Sequence, residues 1–322
     1  MKLLNYLMLV ITLTVGGILY KRYKKKYEPD FELKKNNLVK KYLLNDEMIH
    51  GKSNIWIHIN YERNGRCWES FNSRLSDDLN KPYIEACVES IIKYNDNDFN
   101  IFIINDSSFG KLLSDWDVDI NNVPEPIKSK TRAYGLCKLL YHFGGINVPS
   151  SFLCTKSLLT LYNAGVKNNK MFCMEKYNNT ITYDEKGFIC DDKMMGCLKY
   201  NKEMGELSEN MNEQLSIDKE EEDFLEAMHD DFKINVLDGK LIGVKDNKDE
   251  AIEIRHLLGA TPIDFNFNKY GVLIDEKTLD KSIKYEWFNR SSKEQIFESN
   301  TELGKEILLS HGEGLVATST NR

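Results

Sequence analysis

The chain has 322 residues, of which 41% are hydrophobic and 29% are charged, and this composition excludes a fibrous or low-complexity protein. Its length leaves room for one large domain with an ample core. The formal net charge is −7 and no basic face is evident outside residues 21–41, so nucleic acid is not expected as a partner.

The chain begins with an apolar segment. Residues 3–20 contain no charged side chain, and a helix of that length, at about 1.5 Å per residue, would measure roughly 27 Å and cross a bilayer core. Basic residues follow at 21–26, so the positive-inside rule places the rest of the chain in the cytosol. A cleaved signal peptide and an interfacial or buried helix are the alternatives. The sequence thus predicts a single-pass membrane protein, with an anchor and basic collar at 1–27 and a polar stalk at 28–53.

The cysteines give a second indication of compartment. There are seven, with no regular spacing and no Cys-x-x-Cys motif, and several lie inside apolar runs. This pattern predicts reduced core cysteines, as expected for a cytosolic domain. Sequons at Asn105, Asn178 and Asn289 would stay unmodified on that side of the membrane.

A strand, a helix and a second strand follow one another early in the soluble part. Residues 55–59 form an apolar run typical of a buried strand, and residues 101–104 form another. Between them, Pro82 occupies the first position of a predicted helix. The order predicts a βαβ unit in a parallel sheet covered on both faces. The apolar stripe of the helix has i, i+3, i+4, i+7, i+8 spacing and consists of Ile84, Cys87, Val88, Ile91 and Ile92.

The most informative stretch runs from Thr131 to Cys154. The first half of this stretch is a predicted helix that ends at Gly144 and Gly145, because glycine readily adopts the backbone conformation of a helix stop. A short strand is predicted directly afterwards, at 145–148. The residues with helical spacing are Leu136, Leu139, Leu140 and Phe143.

Further along the chain the local patterns are shorter. The dipeptide Asp238-Gly239 lies between two apolar runs and predicts a β-hairpin with a type I′ turn over 233–244. Three aromatic residues are predicted to anchor the packing of the C-terminal part: Trp287, Phe288 and Phe297. Other predicted elements are a helix at 157–162, a strand at 171–174, a polar helix near 201–214 and a solvated acidic helix start at 218–223.

Three pieces of sequence occur in an order that resembles a known family. They are the strand segment IWIHIN, the segment KPYIEACVESIIKYNDNDFNIFIIND and the segment CKLLYHFGGINVPSSFLC. Together they resemble the DXD-type glycosyltransferases of the capsular-polysaccharide-synthesis and initiating-mannosyltransferase kind, over roughly residues 54–205. The resemblance implies a GT-A-like α/β fold with a mixed sheet over residues 54–322, and transfer of a sugar from a nucleotide-sugar.

The metal ligands of that family are missing. The family follows its paired glycines with an Asp-x-Asp that holds a divalent cation against the diphosphate, and these positions are Pro149 and Ser151 here. The family's nucleoside-contacting Asp and its Arg fall on Ala133 and Leu136. The resemblance therefore implies a degenerate site, in which Mn²⁺ or Mg²⁺ would need relocated ligands and no metal ligand is assigned.

Other residues are predicted to take over the chemistry. Arg132 and Lys138 could supply positive charge to a leaving diphosphate, with surface charge as the alternative. Asp106 follows a strand at its carboxyl end, where open sheets bind ligands, with turn capping as the alternative. Asp191 and Asp192 lie in a segment that resembles the acceptor side of the family's site. The predicted catalytic residues are Asp191, Asp192 and Lys138, and the predicted nucleotide-sugar-binding residues are Asp106, Arg132, Gly144, Gly145 and Ser151.

Two other candidates are interpreted as structural. The acidic run Asp115–Asp119 contains Asp-x-Asp, but it precedes the glycine-terminated helix and is predicted to be a solvated loop. His58 lies within an apolar run and is predicted to be a core histidine with satisfied hydrogen bonds.

Two functions stay open at this point. The first is a membrane-anchored glycosyltransferase-like protein that uses a nucleotide-sugar, and the second is a catalytically inactive GT-A-fold descendant acting as a membrane-tethered binding or structural module. No protein partner is assigned. A lipid-surface adaptor would rest only on the basic collar, which topology already explains. The preference for Asn, Lys and Ile would suit the AT-rich genome of a large DNA virus or a protist.

Overall fold

The computed structural model describes residues 51–59, 81–177, 188–217 and 234–312. The predicted anchor at 3–20, the basic collar, the stalk up to residue 50 and the acidic run at 218–223 lie outside these ranges. Among the described residues, no helix is both long and apolar enough to cross a membrane.

The described strands form a main sheet and a small one. The main sheet has the strand order β2-β1-β3-β6-β5-β7, and β4 pairs with β8 in the small sheet. The strands are β1 (Ser53–His58), β2 (Phe99–Ile104), β3 (Gly145–Asn147), β4 (Phe152–Cys154), β5 (Phe172–Tyr177), β6 (Phe188–Cys197), β7 (Asn235–Leu237) and β8 (Gly271–Leu273).

The direction of the strands defines two edges of the main sheet. The pairs β1–β2, β1–β3 and β5–β7 are parallel, and β6 is antiparallel to both of its neighbours. Five strands therefore end on the same side, which we call the carboxyl edge and which is marked by the last residues of β1, β2, β3, β5 and β7. The predicted mixed α/β sheet is confirmed.

The described helices pack against the strands of the two sheets. Helix α3 contacts β3 and β6, and helix α1 contacts β2 and β4. The helices are α1 (Pro82–Asn95), α2 (Asp106–Leu112), α3 (Ile127–Phe143), α4 (Leu159–Gly165), α5 (Lys202–Ile217), α6 (Ile254–Leu257), α7 (Glu276–Lys281), α8 (Glu286–Arg290), α9 (Lys293–Glu298) and α10 (Glu302–His311).

The predicted βαβ unit is confirmed. Strands β1 and β2 pair in parallel from Ser53 with Phe99 to His58 with Ile104, and α1 connects them. Pro82 is at the start of α1, where the missing N–H costs no hydrogen bond. The predicted stripe of α1 is buried apart from Ile92, which is half-buried, so helical periodicity placed this element correctly.

Two glycines form the corner between α3 and β3. Helix α3 ends at Phe143, and Gly144 caps it with a positive φ of 69°. Gly145 has a φ of 107°, and a Cβ atom there would lie 2.2 Å from the backbone oxygen of Asn54 in β1. The corner confirms the predicted helix stop and shows that β3 approaches β1 too closely for any side chain at residue 145.

The predicted β-hairpin at 233–244 is wrong. β7 does not turn back on itself but pairs in parallel with β5, from Phe172 with Asn235 to Met174 with Leu237. Residues 239–242 form a 3₁₀ helix, with the Asp238 side chain accepting from the Lys240 N–H at its start. The Asp-Gly dipeptide is a local turn signal, and pairing with β5 together with this cap decides the structure instead.

The prediction that all cysteines are reduced is also wrong. Cys173 in β5 and Cys190 in β6 form a disulfide, with their Cα atoms 5.9 Å apart. The two residues are distant in sequence, and the antiparallel pairing of β5 with β6 brings them together. The four other described cysteines, Cys87, Cys137, Cys154 and Cys197, are reduced and buried as predicted.

The C-terminal helices pack against α1 and the small sheet. Phe288 is fully buried and its ring lies 5.5 Å from that of Tyr83, so it is a packing anchor as predicted. Trp287 is 46% exposed and does not anchor the core. Phe297 is half-buried and its ring lies 5.8 Å from the imidazole of His311.

Candidate functional site

Three charged or polar side chains meet at the carboxyl edge, at the ends of β1 and β2. Arg132 binds Asp106 through two hydrogen bonds, from Nε to Oδ1 and from one terminal nitrogen to Oδ2, both 2.8 Å long. His58 Nε2 lies 2.9 Å from Asp106 Oδ1. The side chains of His58, Arg132 and Asp106 are only 10%, 12% and 18% exposed. We refer to His58, Asp106 and Arg132 as the edge triad.

Local sequence explains why the edge triad forms here. Asn105 directly follows β2 and caps α2 together with Ser108, so Asp106 lies in the first turn of that helix, at the carboxyl edge. β1 is parallel to β2 and brings His58 to the same edge. Arg132 lies near the start of α3, which runs back across the sheet from this edge to the Gly144 corner.

The neighbouring side chains keep Asp106 of the edge triad ionised. Burial by itself raises the pKa of Asp106, but hydrogen bonds from His58 and Arg132 outweigh it and hold the pKa well below its usual range. Asp106 is therefore ionised at any physiological pH. Glu125 lies 3.7 Å from the other terminal nitrogen of Arg132 and adds a second negative charge beside the guanidinium.

An aromatic stack extends from the triad. The Phe109 ring lies parallel to the His58 imidazole with centroids 5.6 Å apart, and the Trp116 ring follows 5.1 Å beyond it. Gly135 in α3 makes room for Phe109, since a Cβ atom there would lie 2.7 Å from the ring. The stack fixes the plane of the imidazole, so His58 presents its ring nitrogens in one orientation.

Lys138, predicted to act on a leaving diphosphate, is engaged elsewhere. Its ammonium group forms an ion pair with Asp115 and lies 5.3 Å from the centre of the Tyr134 ring. Six residues separate it from Arg132, so the two side chains leave α3 roughly 120° apart. The structure does not bring Lys138 into the edge triad. Asp115 and the rest of the acidic run are exposed on a loop, as predicted, at positions 115, 117 and 119.

Gly144 and Gly145, predicted to bind the nucleotide-sugar, lie at the amino end of β3, on the opposite edge of the sheet. The N–H of Gly144 donates to the Leu140 carbonyl, and its own carbonyl accepts from Trp56 Nε1 at 3.0 Å. Twelve residues of helix separate Arg132 from Gly144, which corresponds to roughly 18 Å. Their positions give both glycines a role in the α3–β3 corner, and a role in ligand binding stays a prediction.

Asp191 and Asp192 lie on β6 near the carboxyl edge, two strands away from β1, or about 10 Å across the sheet. Asp191 is 1% exposed and accepts a hydrogen bond from the Lys193 N–H. Burial raises its pKa to about 6, with a smaller contribution from the neighbouring Asp192 charge. Asp192 is half-buried, and its carboxylate lies 4.0 Å from the ammonium of Lys176.

We expect Asp191→Asn to stabilise the protein at pH 8 by about 2 kcal/mol, because the variant removes a buried negative charge. The folded protein binds a proton at Asp191 below about pH 6, whereas the unfolded chain binds it only near pH 4. The wild type therefore gains stability as pH falls from about 6 toward 4. The variant should lack this gain. Urea denaturation at pH 4.5, 6 and 8 measures both effects, and an equal pH slope in the two proteins would contradict the burial of an ionised Asp191.

The positions of the missing Asp-x-Asp do not fit a divalent cation. Pro149 has no side-chain ligand, and Ser151 is 4% exposed with its hydroxyl donating to the Ile274 carbonyl at 3.0 Å. Across the described parts of the chain, no group of three or more His, Cys, Asp or Glu side chains is arranged to hold a metal ion. No step of the chemistry is therefore assigned to a metal.

The structure thus brings together two of the eight predicted site residues, Asp106 and Arg132, and adds His58 to them. Sequence reasoning had interpreted His58 as a satisfied core histidine, and its bond to Asp106 confirms that the side chain is satisfied. Asn147 was missed. It ends β3 at the same edge, is buried, and donates from Nδ2 to the Lys193 carbonyl beside Asp191. A polar residue closing an otherwise apolar strand is the signal that could have found it.

Comparisons with known proteins add little to this picture. No protein-family model and no curated protein sequence matches the chain. A solved PaToxG glycosyltransferase is similar with a TM-score of 0.32 and 11% identity, over 56% of this chain and 70% of that chain. The 4-diphosphocytidyl-2C-methyl-D-erythritol synthase from Anaerococcus prevotii is similar with a TM-score of 0.34 and 11% identity, over 63% of this chain and 93% of that chain. Likeness this weak does not assign a family or an activity.

Proposed function

We propose that this protein is glycosyltransferase-like and binds a nucleotide-sugar at the carboxyl edge of its main sheet, without an Asp-x-Asp metal site. The observation that carries the proposal is the edge triad. Asp106 and Arg132 were predicted from the sequence to contact the nucleotide-sugar, and they lie together where parallel strands end. Ligands of open α/β sheets bind in the crevice outside the carboxyl ends of the strands.

The rest of the edge fits a ligand with both polar and charged groups. Along this edge, the strands beyond the edge triad carry polar side chains: Asn147 on β3, then Asp191 and Asp192 on β6. The ends of β1 and β6 are about 10 Å apart along the carboxyl edge, which is long enough for a sugar and part of a diphosphate to lie across the strand ends. The sugar-transfer class is supported by the resemblance of residues 54–205, and the mixed sheet agrees with it.

A second candidate function is a catalytically inactive descendant that keeps a binding or structural role. One specific observation favours it: both cations predicted to replace the metal are paired with carboxylates, Arg132 with Asp106 and Lys138 with Asp115. A cation neutralised in this way stabilises a leaving diphosphate less than a free one does. Membrane tethering through residues 3–20 belongs to both candidates as a proposal. A cytosolic location is proposed from the basic residues at 21–26 alone, because the Cys173–Cys190 disulfide removes the argument from reduced cysteines.

Thermal unfolding of the full chain with UDP- and GDP-sugars, with and without Mn²⁺, tests the proposal. A ligand that binds only the folded state raises the unfolding midpoint, by about 5 °C or more at a hundredfold excess over Kd. We expect a rise that does not depend on Mn²⁺. No rise with any donor would contradict the proposal, and a rise that requires Mn²⁺ would contradict its metal-free form.

A pair of arginine variants locates the binding. Arg132→Gln should remove most of the ligand-dependent rise, because it takes away the guanidinium of the edge triad. Arg255→Gln is the matched control, since Arg255 is also paired with a carboxylate, that of Glu253, but is exposed on α6. Each variant is compared with its own ligand-free midpoint, so that a loss of stability is not counted as a loss of binding. An unchanged rise in Arg132→Gln would place the ligand elsewhere.

A further inference from the structure

The hydrogen bond between His58 and Asp106 fixes which nitrogen of the imidazole carries a hydrogen. Both oxygens of the Asp106 carboxylate accept from the Arg132 guanidinium, and these bonds together with the lowered pKa favour the ionised form, which can only accept. The shared hydrogen is therefore on His58 Nε2, 2.9 Å from Asp106 Oδ1. In the neutral imidazole this leaves Nδ1 with a free lone pair, which makes Nδ1 the basic atom of the ring.

The surroundings of His58 suit a group that takes up a proton. Asp106, from α2, accepts from the ring and would stabilise the imidazolium that forms. Arg132, from α3, shares the Asp106 carboxylate with the ring and opposes that charge, but Glu125 lies 3.7 Å from its guanidinium and offsets it. Phe109 stacks on the ring and holds its plane. The His58 side chain keeps 10% of its surface exposed, at the carboxyl edge.

The other predicted catalytic groups are less suited to this task. Asp191 is 1% exposed, so its carboxylate is almost completely shielded from a substrate. Lys138 is held as a cation by Asp115, which together with Tyr134 keeps its pKa raised against the opposing effect of burial. A general base must present a proton-accepting atom to its substrate. Among these three groups, His58 lies at the carboxyl edge with its Nε2 bonded to a carboxylate, which leaves Nδ1 as the atom that can accept a proton.

We propose that His58 is the general base that activates the acceptor hydroxyl, with Asp106 as the residue that positions its ring. The inference rests on the proposed function and names a residue of the same site.

His58 Nδ1 takes the proton of the acceptor hydroxyl while that oxygen forms a bond to the anomeric carbon of the donor sugar. The bond from this carbon to the diphosphate oxygen breaks, and its electron pair leaves with the nucleoside diphosphate. The proton then passes from His58 to solvent. The acceptor class is an alcohol, and water can take its place in slow donor hydrolysis.

His58→Gln is the variant that tests this role. Its side-chain amide can still donate to Asp106, so the fold and nucleotide-sugar binding should persist, but it has no basic nitrogen. We expect release of UDP or GDP from the bound donor, with water as acceptor, to fall about 100-fold or more in kcat with KM unchanged.

His142→Gln is the matched control, because His142 lies in the last turn of α3 at the opposite edge of the sheet and should leave kcat unchanged. Full turnover in His58→Gln would overturn the assignment. A loss of donor binding together with turnover would also overturn it, since His58 would then be a binding residue. If the wild type binds a donor in the thermal assay but releases no nucleotide at any pH, the assignment of His58 as the general base is refuted and the proposed function still stands. A wild type that binds no donor refutes the proposed function itself.

Discussion

Gly145→Ala is expected to destabilise the protein by more than about 4 kcal/mol and in practice to prevent folding. The added Cβ atom would lie 2.2 Å from the backbone oxygen of Asn54 and 2.9 Å from its carbonyl carbon. Both are main-chain atoms of β1, so no side-chain rotation can relieve the clash. The φ of 107° at Gly145 adds strain that any other residue would suffer. The yield of soluble protein and its circular dichroism spectrum measure the effect.

Gly110→Ala is the control for this variant. Gly110 lies inside α2, and a Cβ atom there would meet only Trp116 Cδ1, at 3.8 Å, an ordinary contact. Alanine favours a helix over glycine, so the free energy of unfolding should stay the same or rise by up to about 1 kcal/mol. If Gly145→Ala folded with wild-type stability and lost only ligand binding, the glycine would be a binding residue and the described α3–β3 corner would be wrong.

Asp106→Ala is expected to lower the free energy of unfolding by about 3 kcal/mol at pH 7. The substitution leaves the largely buried Arg132 and His58 without their shared acceptor, and an unpaired buried charge is costly. The pKa of Asp106 is lowered in the folded state, so the stability that its carboxylate contributes is present above about pH 4 and is lost as pH falls further. Urea denaturation at pH 7 and near pH 3 should therefore show a difference between wild type and variant that shrinks in acid.

The comparison for Asp106→Ala is Glu253→Ala. Glu253 also binds an arginine, Arg255 at 2.7 Å, but both side chains are exposed, so the loss should stay below about 1 kcal/mol. Equal losses in the two variants would mean that the edge triad is no more than a surface ion pair.

Much of the framework could be predicted from the sequence because its signals are local. The apolar stripe of α1 and the leucines of α3 have helical spacing, and Gly144 caps α3 where the pattern stops. The hairpin prediction failed because Asp238-Gly239 describes only a turn, while pairing between β5 and β7 depends on residues sixty positions away in sequence. The Cys173–Cys190 disulfide was missed for the same reason, since it depends on strand pairing.

The candidate site was predictable only in part. Asp106 was found because it follows a strand, and Arg132 because it starts the helix that faces that strand end. His58 was interpreted as a core histidine because it lies within an apolar run, and the contact of its ring with a carboxylate from α2 depends on tertiary structure. Lys138 looked free because its partner, Asp115, lies on a loop twenty-three residues earlier.

The central claim is that a nucleotide-sugar binds at the carboxyl edge, and hydrogen exchange of the full chain tests it most directly. The donor that gives the largest thermal shift is added, and the exchange of backbone amides is followed by mass spectrometry. We predict slower exchange in the segments 104–112, 127–135 and 189–195, which surround the edge triad and Asp191, and little change in 198–205 at the opposite edge. Protection confined to 198–205, or to other segments away from the carboxyl edge, would contradict the account.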